Sequence, residues 1–194
     1  IEIKECDFTN NSNLDHTGTG IYSTNSMFTL EGRCVTQGQP DCVEWAHGLF
    51  ENLDYGVYAT TPVTSNYADI RHTDFTDNYR GVYLSGMTLP RVTSNNFTLD
   101  GTAASQSYGL YLDGCTDYWV EDNTFEGSGL TTELGIGIVV NESGKDVNLI
   151  YGNAFNYVEY AINVQGINRN DRLTTEGLEI RCNYYDNTLF DETV

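Results

Sequence analysis

The sequence predicts an all-β solenoid of stacked short strands, and two recurring patterns indicate this fold class. In the first pattern, an aliphatic residue or Trp is followed five residues later by Phe or Tyr: Ile3/Phe8, Trp45/Phe50, Ile70/Phe75, Val92/Phe97, Val120/Phe125, Ile150/Phe155 and Ile180/Tyr185. In the second, Gly or Ala precedes an aliphatic residue, six or twelve positions after the aromatic one: Gly20-Ile21, Gly56-Val57, Gly81-Val82, Gly109-Leu110, Gly137-Ile138 and Ala161-Ile162. Such self-similarity is the signature of a repeat architecture.

The repeat length excludes helical repeats. The shortest unit runs from Ile70 to Val92, a spacing of 22 residues. Helix-pair repeats need roughly 33 residues and an apolar period near 3.6. The segment Val82-Tyr83-Leu84 instead alternates with period two, as a strand does. We therefore predict about seven stacked coils of short strands, which bury one continuous core and pair through backbone hydrogen bonds from coil to coil.

The alternation also predicts which side chains face outwards. The apolar residues that follow each Gly or Ala point into the core. The residue between them points out, which gives the row Tyr22, Tyr58, Tyr83, Tyr111, Val139 and Asn163. Two residues before the closing aromatic of the last four units stand Asn95, Asn123, Asn153 and Asn183. Asn suits tight turns and hydrogen-bonds to backbone groups, so these amides are expected to connect neighbouring coils.

At these residues the chain resembles the right-handed parallel β-helix family, which includes pectate lyases, polygalacturonases, alginate epimerases and many secreted bacterial surface proteins. The phrases Val92-Thr-Ser-Asn-Asn-Phe97 and Val120-Glu-Asp-Asn-Thr-Phe125 look like its repeat. The resemblance covers Ile1 to about Tyr185 and implies an all-β, right-handed parallel β-helix of about seven coils. It implies no single activity, because the fold hosts lyases, hydrolases, epimerases, adhesins and inert stalks.

We expect residues 1–194 to form a single parallel β-helix domain that is a fragment of a longer protein. The first residues already belong to a coil, and neither terminus offers the polar cap that a solenoid end needs. Uncapped coils would also permit end-to-end assembly. No stretch approaches the roughly 20 apolar residues of a membrane span.

The charge balance narrows the range of partners. The chain has 9 Lys and Arg against 28 Asp and Glu, a formal net charge of −19. Nucleic acid is excluded as a partner, because phosphate binding depends on basic contacts. Anionic glycans would be repelled unless divalent cations bridge the two surfaces. No cofactor is required, and calcium is the one that the sequence leaves open, with weak candidate ligands at Asp74, Asp77, Glu51 and Asp54. Alternatively, the acidity only keeps the protein soluble.

The cysteines indicate the compartment. Cys34 and Cys42 flank a short loop inside the long insertion between the first two coils, and a disulfide closing this loop is the simplest interpretation. Such a bond suits an extracellular or cell-surface protein. Cys6, Cys115 and Cys182 are expected to be buried thiols, and the absence of a CxxC motif argues against zinc.

Two groups of residues are candidate sites. Tyr22, Tyr58, Tyr83 and Tyr111 would repeat about every 4.8 Å and form an aromatic strip on which sugar rings could stack. Alternatively, the stacked tyrosines only stabilise the outer face. The column Glu5, His47, His72, Ser94 and Asp122 lies three residues before the corner aromatic.

His47 and His72 should be close together there, with Arg71 and Asp74 near one of them. A carboxylate, two imidazoles and an Arg are the parts for proton abstraction or a metal site, and solvated turn residues are the alternative. The chain has neither the Asp-Pro-His-Asp motif of the alginate epimerases nor the Arg-Ile-Lys motif of the polygalacturonases. The sequence therefore favours a structural stalk or adhesive segment that binds carbohydrate or a surface protein, with a polysaccharide lyase or glycoside hydrolase as the alternative.

Overall fold

A computed structural model describes residues 1–12, 16–63, 66–99, 107–127, 135–169 and 176–193. The secondary structure in these ranges consists of strands. In chain order they are β1 (Glu2–Lys4), β2 (Asp7–Thr9), β3 (Thr19–Thr24), β4 (Phe28–Glu31), β5 (Arg33–Gln37), β6 (Cys42–Ala46), β7 (Gly48–Glu51), β8 (Tyr55–Thr60), β9 (Ala68–Arg71), β10 (Thr73–Asn78), β11 (Arg80–Ser85), β12 (Arg91–Thr93), β13 (Asn96–Leu99), β14 (Ser107–Asp113), β15 (Trp119–Glu121), β16 (Thr124–Glu126), β17 (Gly135–Asn141), β18 (Asn148–Tyr151), β19 (Ala154–Asn156), β20 (Tyr160–Gln165), β21 (Leu178–Arg181), β22 (Tyr184–Asp186) and β23 (Phe190–Thr193).

The described residues form three seven-stranded parallel sheets. Sheet A has the order β1-β4-β9-β12-β15-β18-β21, sheet B the order β2-β7-β10-β13-β16-β19-β22, and sheet C the order β3-β8-β11-β14-β17-β20-β23. Each coil supplies one strand to each sheet, which confirms the predicted parallel β-solenoid. Where sheet A turns into sheet B, six of the coils have a residue with positive φ at the bend: Glu5, His72, Ser94, Asp122, Gly152 and Cys182.

A column of aromatic side chains fills the core at sheet B. Phe8, Phe50, Phe75, Phe97, Phe125, Phe155 and Tyr185 pair in register from coil to coil, as predicted. The rings of Phe97 and Phe125 are 4.7 Å apart and almost parallel, and both are buried. Glycines on sheet C lie against this column. A Cβ on Gly81 would lie 2.4 Å from the carbonyl oxygen of Gly109 and 3.0 Å from the Phe97 ring, so this position needs glycine.

The second coil differs from the prediction. Leu30, not Trp45, occupies the core position of sheet A, because Ile3, Leu30 and Ile70 pair in register. The insertion lies within the second coil, between β4 and β7, where an antiparallel hairpin (β5 and β6) leaves the corner. Trp45 belongs to this hairpin, and its five-residue spacing from Phe50 is coincidental. Leu30 is fully buried, because its strand β4 pairs with the neighbouring strands of sheet A, whereas the strand of Trp45 does not.

The predicted asparagine ladder joins the later coils. Asn95 donates to the Oδ1 of Asn123 at 3.0 Å, Asn123 to that of Asn153 at 2.9 Å, and Asn153 to that of Asn183 at 3.1 Å. Each of these four side chains also donates to a carbonyl of the preceding coil, for example Asn123 to Val92 at 2.8 Å. The backbone nitrogens of the turn are satisfied as well, because that of Asn95 donates to the Oδ1 of Asn123. The ladder therefore pairs the polar groups that the turn buries.

The cysteines fall into three environments. Cys34 and Cys42 form the predicted disulfide, which lies within the hairpin. Cys115 is fully buried, and burial raises the pKa of its thiol to about 12. The expectation of buried thiols is wrong for Cys182, which is exposed, and Cys6 is only partly buried. Both lie in the first or last coil, where fewer neighbouring coils cover a side chain.

Candidate functional site

The outer face of sheet C carries the tyrosine row, defined as Tyr22, Tyr58, Tyr83 and Tyr111. These residues pair directly from coil to coil, and the row continues in register into Val139 and Asn163 as predicted. Val139 is only 2% exposed, so the outward row is covered at that coil. The side chains on either side of each tyrosine in the strand point into the core, so the phenol rings must point outwards. Tyr22 is 69% exposed, and the other three tyrosines are partly buried.

The rings overlap along part of this row. The Tyr22 and Tyr58 centroids are 5.2 Å apart with a 4° angle between planes, and those of Tyr58 and Tyr83 are 5.1 Å apart at 11°. Since stacked carbon atoms approach to roughly 3.5–4.0 Å, these are offset stacks in which each ring covers part of the next. At the next step the geometry changes, because the Tyr83 and Tyr111 rings are inclined by 44° at 5.4 Å. The row is therefore interrupted between Tyr83 and Tyr111.

A second aromatic row, which the sequence reasoning missed, runs beside the first. It is defined as Tyr55, Arg80 and Tyr108, which pair from coil to coil in sheet C. Tyr55 packs edge-on against Tyr58 at 5.1 Å, and Tyr108 packs edge-on against Tyr111 at 5.2 Å. The sequence does contain a signal for this second row. In three coils, the residue directly before the Gly or Ala of the second repeat pattern is Tyr. The aromatic part of this face is therefore two side chains wide.

Arg80 is held between aromatic rings. Its guanidinium carbon lies 4.7 Å from the centroid of the Tyr55 ring and 4.3 Å from that of Tyr79. Its Nη1 donates a hydrogen bond to Asp54 at 2.7 Å. Asp54, a predicted calcium ligand, thus has a cationic partner in the next coil. Arg80 contributes a fixed planar group to the aromatic surface and is charge-neutralised there.

A polar row borders the tyrosine row on its other side, and we define it as Thr60, Ser85, Asp113 and Asn141. Asp113 is its centre. One of its carboxylate oxygens accepts hydrogen bonds from the Tyr83 hydroxyl at 3.0 Å and from Ser85 at 3.3 Å. The other accepts one from Asn141 at 2.7 Å. Burial and the Asp113 carboxylate together raise the pKa of Tyr83, so this phenol stays protonated and donates.

The predicted histidine cluster forms away from sheet C, at the corner where sheet A turns into sheet B. His47 and His72 have ring centroids 5.9 Å apart. Nδ1 of His47 lies 2.7 Å from Oδ1 of Asp74, and Asn96 donates to the same oxygen at 2.7 Å. If Nδ1 of His47 carries the proton, its Nε2 is left as the basic nitrogen. Asp74, a predicted calcium ligand, is thereby engaged by neighbouring side chains.

The inserted hairpin packs on this cluster. Trp45 stacks on the ring of His72 with centroids 4.0 Å apart and an 11° angle. Desolvation, the neighbouring His47 and Arg71 lower the pKa of His72 to about 4, so its ring is neutral near pH 7. Glu5 does not join the histidines, because it pairs with Arg33 of the hairpin, and that ion pair lowers the pKa of Glu5. In the column of turn residues between sheets A and B, Gly32 follows Glu5 and precedes His72. His47, which was predicted at that place in the column, lies outside it.

The family model for the right-handed beta helix region matches residues 1–174 of the chain. The chain belongs to the right-handed β-helix family. No curated protein and no solved structure matches the chain. Family membership thus fixes the fold of this right-handed β-helix and leaves its activity to be argued from its surfaces.

The described part of the β-helix contains no group of three or more His, Cys, Asp or Glu side chains arranged to hold a metal ion. Glu51 lies on β7 in register with Thr9 and Thr76, and Asp77 follows them at a positive-φ position in β10. Calcium binding therefore stays a prediction. Within the described ranges, no helix has the length and apolar character that crossing a bilayer requires.

Proposed function

We propose that this right-handed β-helix is an extracellular module of a larger secreted or cell-surface protein, a rigid stalk or adhesive segment that binds carbohydrate on the outer face of sheet C. One observation carries the proposal. The tyrosine row, the second aromatic row and the polar row lie side by side on a single sheet.

This combination matches the chemistry of sugars. A sugar ring presents apolar C–H groups to aromatic side chains and hydroxyls to carboxylate and amide groups. Tyrosines supply contact area at low entropic cost, because they have few rotatable bonds. Here the rings are further fixed by one another and by the sheet, so little ordering is required when a ligand binds.

The proposed location rests on two properties of the chain. The disulfide between Cys34 and Cys42 suits an oxidising compartment. A formal net charge of −19 keeps a protein soluble outside the cell and disfavours adventitious contact with nucleic acid.

The test is retention on immobilised polysaccharides by Tyr58→Ala and Tyr83→Ala variants. We expect each variant to lose at least about fivefold in retention, because removal of a stacked aromatic contact costs about 1–3 kcal/mol. Tyr184→Ala is the matched control, since Tyr184 is 65% exposed on sheet B. If the variants lose thermal stability and the wild-type chain retains no polysaccharide, the rows are purely structural and the proposal is wrong.

A polysaccharide lyase or glycoside hydrolase is the second candidate, and the 2.7 Å contact between His47 and Asp74 favours it. A carboxylate that orients an imidazole is the usual arrangement of a general base. His72 would then border the site, whereas Glu5 is held by Arg33 and would take no part. The test is release of reducing or unsaturated ends from the same polysaccharides. A product that disappears in the His47→Gln variant would establish the enzyme, and no product from any of them would leave the binding module.

A further inference from the structure

Along the tyrosine row, the geometry between neighbouring rings changes at the step between Tyr83 and Tyr111. Given the proposed function, on which this inference rests, we propose that the glycan binds at this step. We further propose that Asp113 makes the site selective for neutral glycans over polyuronates. Asp113 is thus a specificity-determining residue, and the tyrosine row supplies the contact area.

Ring geometry places the ligand at this step. Between Tyr22, Tyr58 and Tyr83 the parallel offset stacks cover part of each ring face. The 44° inclination between Tyr83 and Tyr111 opens the stack, so these two rings do not cover each other in the same way. Tyr108, edge-on to Tyr111, borders this step on the side of the second row. With their centroids 5.4 Å apart, these rings leave no room for a sugar between them, so a sugar ring would lie across the outside of both and contact them together.

The polar side of the same step is organised around a carboxylate. Asp113 accepts hydrogen bonds from Tyr83, Ser85 and Asn141. A carboxylate has about four acceptor positions, so these three donors leave one for a ligand hydroxyl. A hydrogen bond to an ionised group is roughly twice as strong as one between neutral groups, which makes Asp113 the strongest acceptor in the polar row.

The charge at Asp113 is what discriminates between glycans. Its three donors are all neutral side chains, so they orient the carboxylate without cancelling its charge. Among the described strands of sheet C, Arg80 is the one cationic residue, and it is paired with Asp54 at 2.7 Å. A sugar carboxylate placed at this step would therefore meet an uncompensated negative charge, in a chain that is already strongly acidic.

The experiment measures binding of neutral hexasaccharides of glucose, xylose and mannose against hexasaccharides of galacturonate and mannuronate. It is run with EDTA present, so that no divalent cation bridges ligand and protein. We expect the dissociation constant of at least one neutral ligand to be lower than that of either uronate by a factor of about ten or more, and we expect added salt to narrow the gap by screening the repulsion.

Asp113→Asn tests the residue. The amide keeps the shape and one acceptor oxygen and removes the charge. We expect neutral binding to weaken about tenfold, and the preference over uronates to fall to about threefold or less. Asp186→Asn is the matched control, because it removes one exposed carboxylate from sheet B and should leave the preference unchanged.

The outcomes separate the two proposals. Uronate binding as tight as neutral binding would overturn the selectivity inference and leave carbohydrate binding standing. An unchanged preference in folded Asp113→Asn would overturn the role of Asp113. Absence of binding to every ligand would overturn the proposed function, and this inference would fall with it.

Discussion

The side-chain amide of Asn123 reaches two neighbouring coils at once. Its nitrogen donates to Oδ1 of Asn153 at 2.9 Å and to the carbonyl oxygen of Val92 at 2.8 Å. Its own Oδ1 accepts hydrogen bonds from both the backbone and the side chain of Asn95. One buried amide therefore joins three successive coils at the same corner.

Replacing Asn123 by Ala should destabilise the protein strongly. The substitution leaves buried donors of Asn95 and the carbonyl of Val92 without partners, and each unsatisfied buried group costs about 1–3 kcal/mol. We expect a loss of about 3 kcal/mol or more in the free energy of unfolding, measured by urea denaturation. Asn96→Ala, which alters an exposed neighbour, should cost under about 1 kcal/mol. A similar small effect in both variants would contradict the structural role of the ladder.

Gly81→Ala should also be poorly tolerated. The added methyl group would lie 2.4 Å from the carbonyl oxygen of Gly109, a backbone atom that cannot move without disturbing the next coil. We expect a loss of about 1–3 kcal/mol, as overpacking generally causes, and a lower melting temperature in calorimetry. The reverse change at the corresponding place in a later coil, Ala161→Gly, should cost only about 1 kcal/mol. Equal stability of Gly81→Ala and the wild type would show that the coils can separate locally.

His72 should make stability depend on pH. Its pKa is lowered from an ordinary value of 6.5 to about 4, so the unfolded chain takes up the proton first as the pH falls. The stability that neutral His72 contributes is complete above pH 6.5 and is lost as the pH falls towards 4. Because the ring is partly solvated, we expect this contribution to be only about 1 kcal/mol.

The titration can be followed directly by NMR of the His72 ring. A midpoint near pH 4 is expected, and one near 6.5 would contradict its burial under Trp45. The His72→Asn variant, whose side chain tolerates positive φ, should lose less stability between pH 7 and pH 4.5 than the wild type does.

Removing the disulfide should affect the hairpin and not the solenoid. Cys34 and Cys42 both lie in the β5 and β6 hairpin, outside the three parallel sheets. We expect the Cys34→Ser/Cys42→Ser double variant to unfold globally with a free energy within about 0.5 kcal/mol of wild type, because opening of the hairpin is a local event. In limited proteolysis, the hairpin of the double variant should be cut faster than that of the wild type. A large fall in the global stability would show that the hairpin folds cooperatively with the coils.

The sequence is sufficient to predict the main repeating columns of this fold. The aromatic column, the asparagine ladder and the row from Tyr22 to Tyr111 each repeat at a fixed position in the coil, and stacking converts that position into contact. Trp45 is a residue at which the repeat pattern is misleading. Its spacing from Phe50 imitates the repeat, but register is decided by which apolar residue sheet A can bury, and that residue is Leu30.

The tyrosine row of the candidate site was predictable from the sequence, whereas the second row and the contacts of Asp113 were not. The second row was overlooked because Arg80 interrupts it between Tyr55 and Tyr108, so it does not read as a uniform column. The role of Asp113 depends on contacts with Tyr83 and Asn141, which lie in the coils on either side. A residue's partners across coils depend on rotamers and insertion lengths, which no spacing rule contains.

The hairpin in the second coil identifies a graft point for protein engineering. Sheet A continues through Leu30 before the insertion, and sheet B continues through Phe50 after it, so the strands on both sides keep their register. The corner thus accepts a covalently closed peptide without any change in the register of the strands on either side. A foreign loop exchanged for residues 33–46 would be displayed at a fixed height along a rigid rod, and the same corner of a later coil would set a different height.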